Sequence, residues 1–169
     1  MTKVKIEMRD EENNLAIIAL EEFLKVPAGF RIFPSYKVKP GQEIYVIGAT
    51  QSGEKPGITK GAISATEGPG GDSRYFGITA QRNLSGGGSP LLDSQGRLVG
   101  IVSPATGKAS SPRAKEHTPQ GIYFALKSNV LLNLYPEIEN LVTAENGPSL
   151  TSEQIFEVYG SSVVSLIVK

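Results

Sequence analysis

The chain has 169 residues, of which 39% are hydrophobic and 20% are charged, a composition typical of folded globular proteins rather than disordered or fibrous ones. Its 17 basic and 17 acidic residues give a formal net charge of zero, and without a dense basic run this disfavours a nucleic-acid or membrane partner. There is no cysteine, which excludes disulfides and thiolate metal sites. No apolar run approaches the ~20 residues of a spanning helix, and the amino end lacks the apolar segment of a signal peptide, so we expect a cytoplasmic location by default.

Short apolar runs separated by turn-forming residues organise most of the chain. Its 19 glycines and 11 prolines lie mainly between these runs, a pattern typical of many strands joined by turns. Seven runs predict strands, at Val4–Met8, Leu15–Leu20, Glu43–Ala49, Gly57–Ala65, Arg74–Ala80, Arg97–Ser103 and Gly121–Leu126. The first alternates apolar and polar residues and predicts a half-buried strand, whereas the continuously apolar second run predicts a core strand. The even spacing favours an all-β fold, an antiparallel barrel or sandwich.

Two segments near the carboxyl end have helical signals. Ser128 is a candidate N-terminal cap for the short apolar helix expected near 128–134. Further on, Thr151 and Gln154 have the spacing of a capping box at the start of a helix over 151–159. The stretch "TAENGPS" between the two helices has the composition of a linker.

Four motifs occur in an order that a known family shares. The segment "TAQRNLSGGGSPLLDSQGRLVGIV" is similar to a nucleophile region of the form T-A-P-I-S-P-G-S-S-G-(G/S)-P-L-L-N-x-x-G-x-V-I-G-I. Upstream, "RDEENNLAIIAL" resembles D-x-x-x-D-L-A-V-L-K, and "GQEIYVIGATQSGEKPGITKGAISA" resembles the strand pair that follows it. Downstream, "QGIYFALKSNVLLNL" resembles G-x-G-F-A-I-P-x-x-x-V. Together these segments, covering roughly residues 3–134, resemble the trypsin-like serine peptidases, especially their HtrA/Deg-type bacterial branch.

The resemblance implies a two-barrel antiparallel β fold with the second barrel complete and the first partial, and a catalytic cleft between the barrels. It also implies serine endopeptidase chemistry, which needs a serine nucleophile, a histidine base, an aspartate that orients the histidine, and backbone N–H groups that bind the oxyanion. It implies no metal ion and no other cofactor.

The nucleophile position of the family falls on a glycine. The spacing from Pro90 to Gly96 matches the family, and this register aligns Gly87 with the catalytic serine. Glycine has no hydroxyl to deprotonate. Ser85 would become the nucleophile only if the tight oxyanion turn held two extra residues, and Ser89 is interpreted as structural.

The acid and the base are also replaced. Asn14 occupies the position of the orienting aspartate, and in the template triad an amide there lowers turnover by about four orders of magnitude. Asp10, earlier in the same turn, is interpreted as a turn former. The motif T-x-x-H-V that carries the family's histidine is absent, and His117 lies after the nucleophile segment. A Ser85–His117 dyad remains as an alternative arrangement.

These replacements predict a catalytically inactive homologue. The resemblance places binding of extended peptides along the second barrel at Ile101, Val102 and Ser103. We therefore expect a pseudoprotease or domain fragment whose partners are extended polypeptide segments or a sister trypsin-like domain. An alternative keeps the chain as a component of an active serine endopeptidase, with the missing triad residues supplied by another segment or chain. A purely structural interaction domain is a third hypothesis.

The carboxyl end resembles the start of the same domain. We expect a peptidase domain over 1–142, a linker over 143–150, and a helix–strand segment over 151–169. The stretch "LTSEQIFEVYGSSVVSLIV", Leu150 to Val168, resembles the family's first helix and strand. This predicts either a piece of a tandem protein or a circular permutant whose last strand replaces the first. We favour the tandem protein, because a permutant would leave the first barrel open, with exposed strand edges.

Overall fold

Six of the eight strands that the computed structural model of the protein describes form a closed barrel. The structure describes residues 4–20, 29–50, 56–80, 87–103 and 123–164. Strands β1 (Val4–Asp10) and β2 (Leu15–Leu20) form a separate two-stranded antiparallel sheet. The other strands all pair antiparallel in the barrel order β3-β4-β5-β8-β7-β6. They are β3 (Glu43–Ala49), β4 (Pro56–Ala65), β5 (Tyr75–Ile78), β6 (Pro90–Asp93), β7 (Leu98–Val102) and β8 (Tyr123–Lys127).

Each barrel strand sends at least one fully buried side chain into the interior. These are Ile44, Ile63, Phe76, Leu91, Val99 and Ala125, one from each strand in chain order. Alternate residues of a strand point to opposite faces, so this inner set leaves a second apolar set on the outside of the barrel. Strand β7 approaches β8 closely at Gly100, where an added Cβ would lie 2.5 Å from the Leu126 carbonyl oxygen. A glycine is therefore required there for the barrel to close in this way.

The outer face of the barrel is covered by helices. The described residues include two α-helices, α1 (Ser128–Leu134) and α2 (Ser152–Tyr159). They also include 3₁₀ turns at Ser35–Lys37, Pro69–Gly71, Pro136–Leu141 and Gly160–Ser162. The outer cluster consists of Ile32, Tyr45, Ile47, Leu92, Leu98 and Ile155, with further side chains of the helices packed on it. No helix in the described part of the chain has the length and apolar character needed to cross a bilayer.

The predicted strands and helices are confirmed, but several strands begin or end at other residues than predicted. The strands Leu15–Leu20 and Glu43–Ala49 have the predicted bounds, and both helices lie where their signals place them. Thr151 and Gln154 form the predicted capping box, each side chain bonding the other's backbone N–H. Strands β5 and β7 are shorter than predicted, and β6 was not among the predicted strands. Residues 121 and 122 of the last predicted strand lie outside the described part.

Three predictions about side-chain burial and helix capping are wrong. The run Val4–Met8 is not half-buried, because Val4 is 40% exposed and Ile6 is 58% exposed. The run Leu15–Leu20 is not a core strand: none of its residues is buried, and Leu20 is 38% exposed, because a two-stranded sheet has too little surface to enclose a core. Ser128 does not cap α1, since Lys127 is the N-cap residue and makes no side-chain cap. The fully buried Ser128 hydroxyl instead donates a 2.8 Å hydrogen bond to the Phe33 carbonyl oxygen.

The Ser128 hydroxyl should contribute to stability through that bond. We expect Ser128→Ala to lower the free energy of unfolding by about 1–2 kcal/mol, because it leaves a buried carbonyl of Phe33 without this donor. Urea denaturation followed by circular dichroism measures the change. The matched control is Ser152→Ala at the exposed start of α2, and equal stabilities of the two variants would contradict the assigned role of Ser128.

Candidate functional site

A tight turn between β1 and β2 brings Asn14 to one side of the site. Asn14 has φ +53° and is the one non-glycine residue with positive φ in the described ranges, a conformation that asparagine tolerates better than most residues. The Asp10 carboxylate accepts hydrogen bonds from the Asn13 side-chain amide at 2.6 Å and from its backbone N–H at 3.0 Å. These bonds, the side-chain bond foremost, lower the pKa of Asp10. Asp10 is thus a turn former, as predicted.

A glycine-rich loop before β6 forms the facing side. Gly88 has φ +91°, and its N–H donates to the Val102 carbonyl at 2.8 Å. The Val102 N–H donates in turn to the Ser89 carbonyl at 2.8 Å. Ser89 is 6% exposed, in keeping with a structural role. Gly87 precedes these hydrogen-bonded residues and, because it has no side chain, contributes only its backbone to the site.

The third side is the end of β7. Ile101 lies between two barrel strands, paired with Pro90 on β6 and with Leu126 on β8. Beyond the strand, the Ser103 N–H donates to the Phe124 carbonyl at 2.9 Å. The chain therefore stays bonded to the barrel through Val102 and through the N–H of Ser103.

These three segments enclose a cleft of about 210 Å³, which is room for a side chain rather than for a large ligand. It is lined by Asn13, Asn14, Leu15, Gly87, Gly88, Ile101, Val102, Ser103 and Leu126. The structure thus brings Asn14 and Gly87, which the sequence register aligns with the family's aspartate and nucleophile, to one cleft together with Ile101, Val102 and Ser103. The two candidate substitutes, Ser85 and His117, lie outside the described residues.

The described lining residues of the cleft carry few of the side-chain groups that hydrolyse peptides. Among the described lining residues, Ser103 provides a hydroxyl and none provides a carboxylate, an imidazole or an amine. A serine hydroxyl needs an adjacent base to become a nucleophile. In the described part of the chain, no three metal-ligating side chains lie close enough to hold a metal ion.

Four lining residues were not identified from the sequence: Asn13, Leu15, Gly88 and Leu126. Three of them are direct neighbours in the sequence of Asn14 or Gly87, so those two predicted residues already indicated that part of the lining. Leu126 reaches the cleft because it pairs with Ile101 across the β7–β8 ladder. That register is set by the barrel, and no local pattern in the sequence reveals it.

Known proteins resemble this chain in sequence and in fold. Residues 2–101, more than half of the chain, match the family described as trypsin-like peptidase domain. The chain is 27% identical over 121 residues to the uncharacterized protein y4bJ of Sinorhizobium fredii (strain NBRC 101917 / NGR234), a match that covers 70% of this chain and 19% of that protein.

Solved HtrA-type structures share the fold. Deg5 superposes with a TM-score of 0.58 at 21% identity, covering 81% of this chain and 60% of Deg5. The HtrA-type protease AlgW, in a variant with a decapeptide, superposes with a TM-score of 0.58 at 22% identity, covering 81% of this chain and 40% of AlgW. The variant with a tripeptide gives 0.59 at 24% identity, covering 80% and 43%. This chain spans less than two thirds of each of these proteins. By its family match and its barrel, the chain belongs to the family of trypsin-like peptidase domains and has the fold of its HtrA-type members.

Proposed function

We propose that this chain is a non-cleaving trypsin-like domain that binds extended polypeptides at the cleft. The observation that carries the proposal is the meeting of Asn14 and Gly87 in one cleft beside the predicted peptide site. The register counted along the sequence aligns these two residues with the family's aspartate and nucleophile. At both positions the residue lacks the group that the family's hydrolysis requires.

Hydrogen bonds within the barrel restrict how a peptide binds. The N–H groups of Val102 and Ser103 and the carbonyl of Val102 are bonded inside the barrel. We therefore expect a bound peptide to pair with the chain beyond Val102, with its side chains in contact with Ile101 and Val102.

The lining also favours uncharged side chains of the peptide. The described lining residues are apolar, amide-bearing or glycine, apart from the hydroxyl of Ser103, and none is charged. Placing an unpaired charge in such a cleft is costly, because the charged group loses water without gaining an ion-pair partner. We expect peptides with small neutral side chains to bind more tightly than acidic or basic ones.

The second candidate function is that of a component of an active serine endopeptidase. The space between Asn14 and Gly87 supports this candidate, because it has room for a side chain from another segment or chain, such as a sister trypsin-like domain. Gly87 argues against this candidate, because the inserted segment would have to bring a nucleophile as well as a base.

Fluorescently labelled unfolded casein tests the proposed binding. We expect saturable binding by the purified full chain without cleavage, and no labelling by a fluorophosphonate probe. Ser103→Arg should weaken binding about tenfold by occupying the cleft, whereas Ser152→Arg on the exposed start of α2 should not change it. Casein cleavage that is lost in Ser85→Ala would overturn the proposal in favour of an enzyme. Absence of both binding and labelling would favour a purely structural domain.

A further inference from the structure

We propose that Arg74 is a positioning residue for the cleft, holding the turn between β1 and β2 against the barrel and so setting where Asn14 lies. For its effect on peptide affinity, this inference rests on the function proposed above. The placement of the turn can be measured without any peptide.

The guanidinium of Arg74 is first fixed on the barrel side. Arg74 precedes β5, and its Nε and Nη2 donate to the two carboxylate oxygens of Asp72 at 3.0 and 2.8 Å. The Arg74 carbonyl accepts a 2.9 Å hydrogen bond from the Lys127 N–H at the end of β8. The backbone bond fixes the main chain at Arg74 on the barrel, and the two bonds to Asp72 keep the planar fork of the side chain in one orientation.

The remaining nitrogen of the fork reaches the turn. Arg74 Nη1 donates to Glu12 Oε1 at 2.7 Å and to Asn13 Oδ1 at 3.0 Å. The amide nitrogen of Asn13 is itself held by Asp10 at 2.6 Å. Asn13 is therefore fixed on both sides of its amide, and the next residue along the chain, Asn14, lines the cleft.

The hairpin needs such an attachment. Strands β1 and β2 lie outside the closed barrel, and beyond their pairing with each other no described element packs extensively on either of them. A two-stranded sheet is marginal on its own. Because the Arg74 side chain is 36% exposed, its ion pairs contribute little to global stability. These ion pairs therefore determine where the turn lies, with little effect on the stability of the whole fold.

Hydrogen exchange of the Arg74→Gln variant tests the placement. We expect amides of residues 11–15 to exchange about tenfold faster than in the wild type, while the barrel strands β3 and β7 keep their protection. Arg74→Lys should not restore protection, since an ammonium group has no fork to join Asp72 to Asn13. The matched control is Arg9→Gln, which removes a charge from the same hairpin at an ion pair that is 67% exposed on the arginine side. Unchanged exchange at the turn in Arg74→Gln would overturn the proposal, whether or not casein binds.

Casein affinity then links the placement to function. If the wild type binds labelled casein, Arg74→Gln should weaken the Kd about tenfold at an unchanged unfolding midpoint, and Arg9→Gln should leave it unaltered. Faster exchange at the turn with no casein binding by the wild type would uphold the role of Arg74 and reject peptide binding. Equal affinities of wild type and Arg74→Gln would reject the effect of Arg74 on the cleft.

Discussion

Replacing Arg97 by methionine is expected to lower the free energy of unfolding by about 3 kcal/mol, because it leaves a buried carboxylate without its cation. Asp93 is 1% exposed, and Arg97 Nε donates to its Oδ2 at 2.8 Å while Nη2 lies 2.7 Å from the same oxygen. The guanidinium also donates to the Glu145 carbonyl at 2.7 Å and lies 3.9 Å from the centre of the Phe33 ring. Two backbone N–H groups continue to bond Asp93 in the variant, which keeps the loss toward the lower end of the range for broken buried pairs.

Urea denaturation with a double-mutant cycle measures this loss. The double variant Asp93→Asn/Arg97→Met should recover part of the stability lost in Arg97→Met, since the unpaired charge is gone. The matched control, Arg9→Met, breaks an exposed ion pair and should change stability by less than about 0.5 kcal/mol. An Arg97→Met variant as stable as the control would show that Asp93 does not depend on Arg97.

The second large effect is expected at Ile155, on the segment that resembles the start of another domain. Ile155 is fully buried and packs with Ile47 and Leu92 on the outer face of the barrel. Ile155→Ala should lower the free energy of unfolding by about 2–5 kcal/mol, through lost burial and the cavity left behind. The helix is also attached by the stacking of Tyr159 on Phe30, with ring centres 5.0 Å apart.

Val158→Ala is the control for Ile155→Ala, because Val158 lies on the same helix and is 41% exposed. It should leave stability within about 0.5 kcal/mol of the wild type. Circular dichroism suits both variants, since the chain has no tryptophan. If residues 151–169 formed an independent domain, Ile155→Ala would leave unfolding of the barrel unchanged. That outcome would support the predicted boundary at 143–150 and contradict the role given to Ile155.

Local patterns were sufficient for much of the fold and for part of the site. Alternating and continuous apolar runs between glycines and prolines predicted seven of the eight described strands, and the Thr151–Gln154 pair predicted the start of α2. The count from Pro90 identified Gly87, and the motif around Leu15 identified Asn14. These signals lie within a few residues of the positions they describe, which is why they can be read without a structure.

Residues separated along the chain decided the rest. The sequence alone, through its strand pattern and family motifs, predicted the trypsin-like β fold and aligned Gly87 and Asn14 with two of the family's catalytic positions. The closed barrel decided that Leu126 reaches the cleft, that Ser128 bonds Phe33 instead of capping a helix, and that Ile155 packs on the barrel. It also placed Arg74 beside Asn13, and this contact attaches the hairpin of β1 and β2 to the barrel. Such contacts depend on strand register and on side chains meeting across distant segments, and no short stretch of sequence encodes them.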